Sequence, residues 1–347
     1  MTPASSLPAS SFPASSFPDR ETLFARVAVT ARNPFDIESI PFLSRLHEMA
    51  FRTSRGASKL FVAKPAKLLF RVLLTLGMGG TGWFRLMLPQ GPRRISYNPR
   101  NTQFGALYQS HFQPLYEPEV SALLDLLVGD EDCFLDVGAN WGWFALLIAS
   151  RPDFRGQIHA FEPMPGTHAD LSGVVREAGL EARIICHPLA LSDHDGTSTM
   201  TVPGGVQSGL ARLGGTAGVR ARLARLDGLN LPAPAVIKMD VEDHEIEVLR
   251  GAGTTIAQAR PFVVFENWSH PKRPEVTLDP LRWFLDREYC LFHATWAGET
   301  AAAGEDARGM LTVLTFPVEQ RFDLPAQLNV LAAPRERLDE LRRRLEA

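Results

Sequence analysis

The chain has 347 residues, 45% of them apolar, enough for one large core with an appendage or for two domains. Lys and Arg number 36 against 39 Asp and Glu, a formal charge of −3, which weighs against a general nucleic-acid binder, a class that normally carries a basic excess. Cys133, Cys186 and Cys290 lie far apart without CxxC or CxxH spacing, which excludes a zinc site and a disulfide framework and fits a reducing, cytoplasmic setting.

Residues 1–18 carry a short tandem repeat, PASSL-PASSF-PASSF, with proline at every fifth position and no helical or strand period. Such a segment reads as a disordered tail, and it lacks the charged and apolar regions of a secretory signal. Residues 19–115 read as a helical N-terminal extension. Asp19 is placed to cap a helix with Leu23, Val27 and Thr30 on one side. From Lys59 to Leu76 apolar residues alternate with Lys59, Lys64, Lys67 and Arg71. A helix packed on the main domain is favoured here because Pro65 interrupts the run, but peripheral contact with a membrane through 59–88 stays open. The uncharged stretch from Val72 to Phe84 has 13 residues, too short to span a bilayer, which takes about 20.

From Tyr116 the texture alternates. Pro118 to Leu127 reads as a helix, Cys133–Val137 as a buried strand, Trp143–Ala149 as a helix and Gln157–Phe161 as a strand. A helix from Gly166 to Ala178, a strand at Arg183–Cys186, a strand at Val236–Asp240, a helix from Glu242 to Leu249 and a strand at Phe262–Phe265 follow. Cys290–His293 and Leu328–Leu331 suit a closing antiparallel pair. Strands and helices in this rhythm imply an α/β, doubly wound, mostly parallel sheet, with residues 335–347 as a C-terminal helical tail.

In such a sheet, ligands bind beyond the carboxyl ends of the strands. The first turn, Gly138-Ala139-Asn140-Trp141-Gly142, sits at such an end and is spaced GxxxG, not the GxGxxG of a pyrophosphate cradle, which favours a nucleoside without phosphate. Asp136 can accept a hydrogen bond from a ligand amino group. Glu162, at the end of the second strand and 24 residues beyond Gly138, matches the acid that binds a ribose diol.

The blocks DVGANWG (136–142), FEPMP (161–165), LALSD (189–193), IKMDVEDHEIEVLRGA (237–252) and VVFENW (263–268) together resemble the FkbM family of methyltransferases over residues 116–334. The resemblance implies a seven-stranded Rossmann-like methyltransferase sheet and S-adenosyl-L-methionine as cofactor. It also implies O-methylation of a small-molecule or glycan hydroxyl acceptor, such as a sugar or natural product. Gly138, Ala139, Asn140, Gly142, Glu162 and Pro163 would then contact the cofactor, with Leu191, Ser192 and Asp193 near its adenine. One departure stands out: the family usually has glycine where this chain has Asp243.

Methylating an alcohol needs alignment and a base. Asp240, at the tip of the fourth strand, is the leading candidate, with His244 one turn along the next helix and Glu266 at the tip of the fifth strand. Glu242 and Asp243 serve equally well as electrostatic caps of that helix. Such an acidic cluster could hold a divalent metal, but nothing in the spacing demands one, and none is expected. Trp141, Trp143 and Trp268 flank the cleft. Two rival readings are a nicotinamide oxidoreductase, against which the missing third glycine speaks, and a non-catalytic binding module that keeps the fold.

Overall fold

A computed structural model describes residues 21–51, 62–112, 115–201, 212–213, 218–298 and 305–346. The proline-rich tail and residues 59–61 lie outside these. The chain opens with β1 (Thr22–Ala31), β2 (Phe35–Ser39), α1 (Phe42–Phe51), α2 (Lys64–Thr75), β3 (Gly82–Leu86) and β4 (Arg93–Tyr97). Next come α3 (Pro118–Leu127), β5 (Cys133–Val137), α4 (Trp143–Ala149), β6 (Gln157–Phe161), α5 (Pro165–Ala178) and β7 (Ile184–His187). A side excursion forms β8 (Ala190–Leu191), β9 (Gly196–Thr201), β10 (Arg212–Leu213) and β11 (Val219–Ala224). The chain then returns through β12 (Val236–Met239), α6 (Glu245–Gly251), α7 (Gly253–Ala259), β13 (Phe262–Trp268) and α8 (Pro274–Leu285). It ends with β14 (Tyr289–Gly298), β15 (Ala307–Thr315), β16 (Gln327–Pro334) and α9 (Leu338–Glu346).

The central sheet has nine strands in the order β1-β15-β14-β16-β13-β12-β5-β6-β7. From β13 through β7 every pairing is parallel, and from β1 through β13 every pairing is antiparallel. The expected closing pair is present, with Phe292 opposite Leu331. The seven strands from β14 to β7 account for the expected Rossmann-like sheet, and β15 and β1 extend it to nine. Smaller sheets are β2-β3-β4 and β10-β9-β11-β8.

Alternation along the central strands builds two cores. Phe134, Ile158, Ala160, Val236 and Val264 face the layer of α3, α4 and α5. Leu135, Val137, Phe161, Ile237, Met239 and Phe265 face the layer of α6, α7 and α8. Strands buried on both faces read as unbroken apolar runs, which is why the segments from 133 to 265 are legible in sequence.

The N-terminal part departs from expectation. Residues 22–31 are not a helix but a strand that pairs along β15, from Thr22 opposite Thr315 to Ala31 opposite Ala307. Residues 19–115 are therefore not a helical extension: they supply a strand of the central sheet, a three-stranded sheet and two helices. Pro65 stands in the first turn of α2, where a missing N–H costs nothing, and so starts that helix rather than interrupting it. No helix of the described residues is long and apolar enough to cross a membrane.

Candidate active site

The chain leaves β5 toward β6 and β7 on one side and returns to β12 on the other, so the carboxyl ends of β5 and β12 frame the switch point of the sheet. A cavity of about 920 Å³, open to solvent, lies there. Its walls come from the turn after β5, from Glu162 to Met164, from Leu189 to Leu191, and from Asp240 to Glu242 with His244.

Gly138 has φ +79°, and a Cβ on it would lie 1.8 Å from the Asp240 carbonyl oxygen. The turn thus touches the tip of β12 backbone to backbone, an approach open only to glycine. The N–H groups of Gly138 and Ala139 both donate to the Phe161 carbonyl, at 3.0 and 2.9 Å. Gly142 (φ +99°) opens α4 against Leu171, below the cavity rather than in its wall.

Glu162 accepts from Asn140 N–H at 3.1 Å and from Met164 N–H at 2.8 Å. Each oxygen keeps a second lone pair for a ligand donor. Burial pushes its carboxyl up to about 7 against these bonds. Asp136 lies fully buried beneath the turn, with Oδ2 accepting Ala145 N–H at 3.1 Å, while Oδ1 has no hydrogen-bond partner. It supports the turn from behind and does not line the cavity. Pro163 and Leu191 line the wall, whereas Ser192 is buried behind it and the exposed Asp193 binds His194 at 2.6 Å. A glycine turn that excludes any side chain and a buried acid with spare lone pairs, Glu162, together fit the ribose of a nucleoside.

Asp240 stands where this cavity meets a smaller one of about 190 Å³, lined by Glu117, Lys238, Glu266 and Asn329 among others. Lys238 reaches up from the buried core of β12, with Nζ 3.4 Å from Asp240 Oδ2 and 4.9 Å above the Phe144 ring. Burial pulls this ammonium down, but Asp240, Asp136, Glu117 and Glu266 outweigh it and hold it above its ordinary value. Burial, then Asp240, pushes Glu117 up to about 7, and burial, Asp240 and Glu117 push Glu266 up to about 9. One lysine thus serves several carboxylates, and the surplus is met by protonation.

Glu266 accepts from Trp268 Nε1 at 2.8 Å and from Gln327 Nε2. Asp240, Glu242 and Glu266 each place an oxygen within 4.8 Å of the others, the one set among the described residues able to share a cation. His244 lines the cavity, its Nε2 3.0 Å from Ser192 Oγ and its Nδ1 3.5 Å from Glu247, and burial holds its pKa below the ordinary imidazole value against the pull of Glu247.

The helix expected from Glu242 begins only at Glu245, because Glu242 and Asp243 adopt φ +54° and +71°. These are the angles a glycine would take freely, and Asp is among the few other residues that tolerate them. The Asp243 carboxylate then earns the turn a second anchor, accepting from His270 Nε2 at 2.7 Å and Arg273 Nη2 at 2.8 Å. The departure from the family pattern therefore keeps the turn and ties it to the loop after β13. Trp141 and Trp143 line the cavity on one side and pack on Phe35 and Phe104 on the other. Trp268 is 39% exposed.

Lys238, Glu117 and Tyr116 escape a motif reading. A signal for Lys238 exists, a lone charge in the otherwise apolar run Val236–Met239. Glu117 precedes Pro118 at φ +42°, and nothing in the sequence reveals that it faces Asp240.

Residues 136–294 match the methyltransferase FkbM domain. The chain is 29% identical over 154 residues to a hexuronic acid methyltransferase of Haloferax volcanii, a match covering 43% of this chain and 62% of that protein. It is 28% identical over 145 residues to an AMB antimetabolite synthetase of Pseudomonas aeruginosa, covering 41% of this chain and 6% of the relative. The chain thus spans less than two thirds of either relative. Among solved structures, an FkbM methyltransferase of Methylobacillus flagellatus aligns with TM-score 0.36 and 20% identity, covering 53% of this chain and 44% of that one.

Proposed function

We propose, from the match of residues 136–294 to the methyltransferase FkbM domain, that the chain is an FkbM-type methyltransferase that transfers the methyl group of S-adenosyl-L-methionine to a hydroxyl oxygen of a sugar, uronic acid or related natural product. The observation that carries this reading is the convergence of Gly138, Glu162 and Asp240 on one cavity at the switch point of the sheet. Bound there, the cofactor would supply an electrophilic methyl carbon on a sulfonium. Gly138, Ala139 and Asn140 would hold it against the backbone, and Glu162 would accept from the ribose diol through its spare lone pairs. Asp240 is then the base that takes the acceptor hydroxyl proton, with Lys238 fixing its carboxylate in place. Neutral His244 orients the acceptor. The apolar walls from Trp141, Phe144 and Leu189 exclude the water that would compete with the alcohol. A sugar acceptor is supported by the likeness to the hexuronic acid methyltransferase of Haloferax volcanii. Three unpaired cysteines suit a reducing, cytoplasmic setting.

The test has two stages. Calorimetric titration with S-adenosylhomocysteine should show one site, and a labelled methyl group should then reach one of a panel of sugars, uronic acids and polyketide-like alcohols. No binding of S-adenosylhomocysteine, with binding of a nicotinamide dinucleotide instead, would overturn the reading.

A further inference from the structure

Helix α2 turns three different faces to its surroundings. At about 100° per residue, Ala66 and Phe70 fall in one sector and are buried against Leu43, Leu46 and Ala50 of α1. Leu68, Leu69, Val72 and Leu76 fall in a second sector and are 68, 43, 45 and 65% exposed. Lys64, Lys67 and Arg71 fall between them as an exposed basic edge. The pattern continues at the C-terminal end, where Met78 is 58% exposed and the Arg100 guanidinium lies beside Gly77. Residues 62–78 contain three cations and no carboxylate, in a chain whose formal charge is −3.

An outward apolar stripe of four large side chains on one short helix is more than scattered surface hydrophobicity. It marks a surface that meets something apolar. The exposed cations Lys64 and Arg71 beside it fit a partner that is negatively charged. A layer that is apolar below and anionic above is the chemistry of a lipid surface. We propose that α2 docks the protein on anionic membrane, with Leu68, Val72 and Leu76 entering the acyl boundary and Lys64 and Arg71 meeting lipid phosphates. The docked element sits close to the catalytic cavity: His47 of α1 is 3.0 Å from Tyr108 and 2.9 Å from Gln109, just after the 102–107 turn that supplies Gln103 and Ala106 to the cavity wall.

The experiment is co-sedimentation of the full chain with vesicles of equimolar phosphatidylglycerol and phosphatidylcholine, and with vesicles of phosphatidylcholine alone. Binding should be strong to the first and weak to the second. Lys64→Gln/Arg71→Gln should weaken binding to the anionic vesicles about tenfold or more, from the worth of two juxtamembrane cations. Leu68→Ser/Leu76→Ser should abolish it, while Arg220→Gln/Arg222→Gln on exposed β11 should leave it unchanged. All these side chains are exposed, so melting temperatures should match the parent chain. Equal binding to both vesicle types, or no binding to either, would overturn the proposal. So would light scattering that showed a dimer dissociated by Leu68→Ser/Leu76→Ser in a chain that does not sediment, since the stripe would then join two copies.

Discussion

Gly138→Ala tests the closest contact in the site. The new methyl would lie 1.8 Å from the Asp240 carbonyl oxygen and 2.9 Å from its carbon, both backbone atoms that cannot swing aside. Reaching even 3.0 Å, the lower limit of real contacts, means parting β5's turn from β12's tip by at least 1.2 Å. The left-handed angle of +79° adds about 1–2 kcal/mol for a side chain, and overpacking of this kind costs about 1–3 kcal/mol more. A total of about 2–5 kcal/mol should lower the melting temperature by several degrees. The functional loss should be larger in proportion, because a displacement of about 1 Å can cost 10²-fold in rate. S-adenosylhomocysteine affinity should fall by at least tenfold. Gly166→Ala is the control: nothing lies within 4 Å of a Cβ there, and the residue is in helix α5. That substitution should leave affinity intact and stabilise slightly. A Gly138→Ala chain that melts and binds like the parent would refute the argument, since the turn would then have room that the structure denies it.

Glu162→Ala removes an acceptor from the ligand and from the amides of Asn140 and Met164, so calorimetry should show a loss of about 1.5–3 kcal/mol in S-adenosylhomocysteine binding. Asp240→Asn should lower turnover by about 10²-fold or more with cofactor affinity nearly unchanged, and His244→Ala should cost less; the reverse ranking would move the base to His244. The unliganded protein should gain stability on acidification from about pH 9 toward 6.5. Glu117, Glu162, Glu245 and Glu266 hold protons to about 7, 7, 8 and 9 when folded but release them lower when unfolded, so the folded state binds more protons in that window. Below about 6.5, His47 and His187, both pushed down to about 4 chiefly by burial, take up protons on unfolding and oppose this gain, so the rise in melting temperature on further acidification should be shallower there.

The parallel half of the sheet was legible because its strands are continuous apolar runs closed by glycine turns, and the terminal acids Asp136 and Glu162 follow from strand ends alone. Strand β1 was not. TLFARVAVTA places Leu23, Val27 and Thr30 at a helical spacing, yet Ala25, Val27, Val29 and Ala31 also alternate, and the long antiparallel pairing with β15 decides for the strand. Local pattern cannot weigh a partner nearly three hundred residues away. The start of α6 was misplaced for a related reason: Glu242 and Asp243 are good first-turn residues, but the approach of Gly138 to Asp240 and the bonds from His270 and Arg273 hold them in left-handed angles. The carboxylates gathered around Lys238 come from α3, β5, β12 and β13, and only the folded sheet brings them together.

The pairing of β1 with β15 also sets an order of events. During synthesis β1 emerges before its partner, and the contact between Thr22 and Thr315 closes a loop of 293 residues. Strands β5, β6, β7, β12 and β13 can pair before that, whereas β14 and β15 reach them only through β16, near the end of the chain. Strand β1 thus stays without its partner until β15 is made, and a chain cut short before residue 307 would leave residues 22–31 with an apolar face and no strand to pair with.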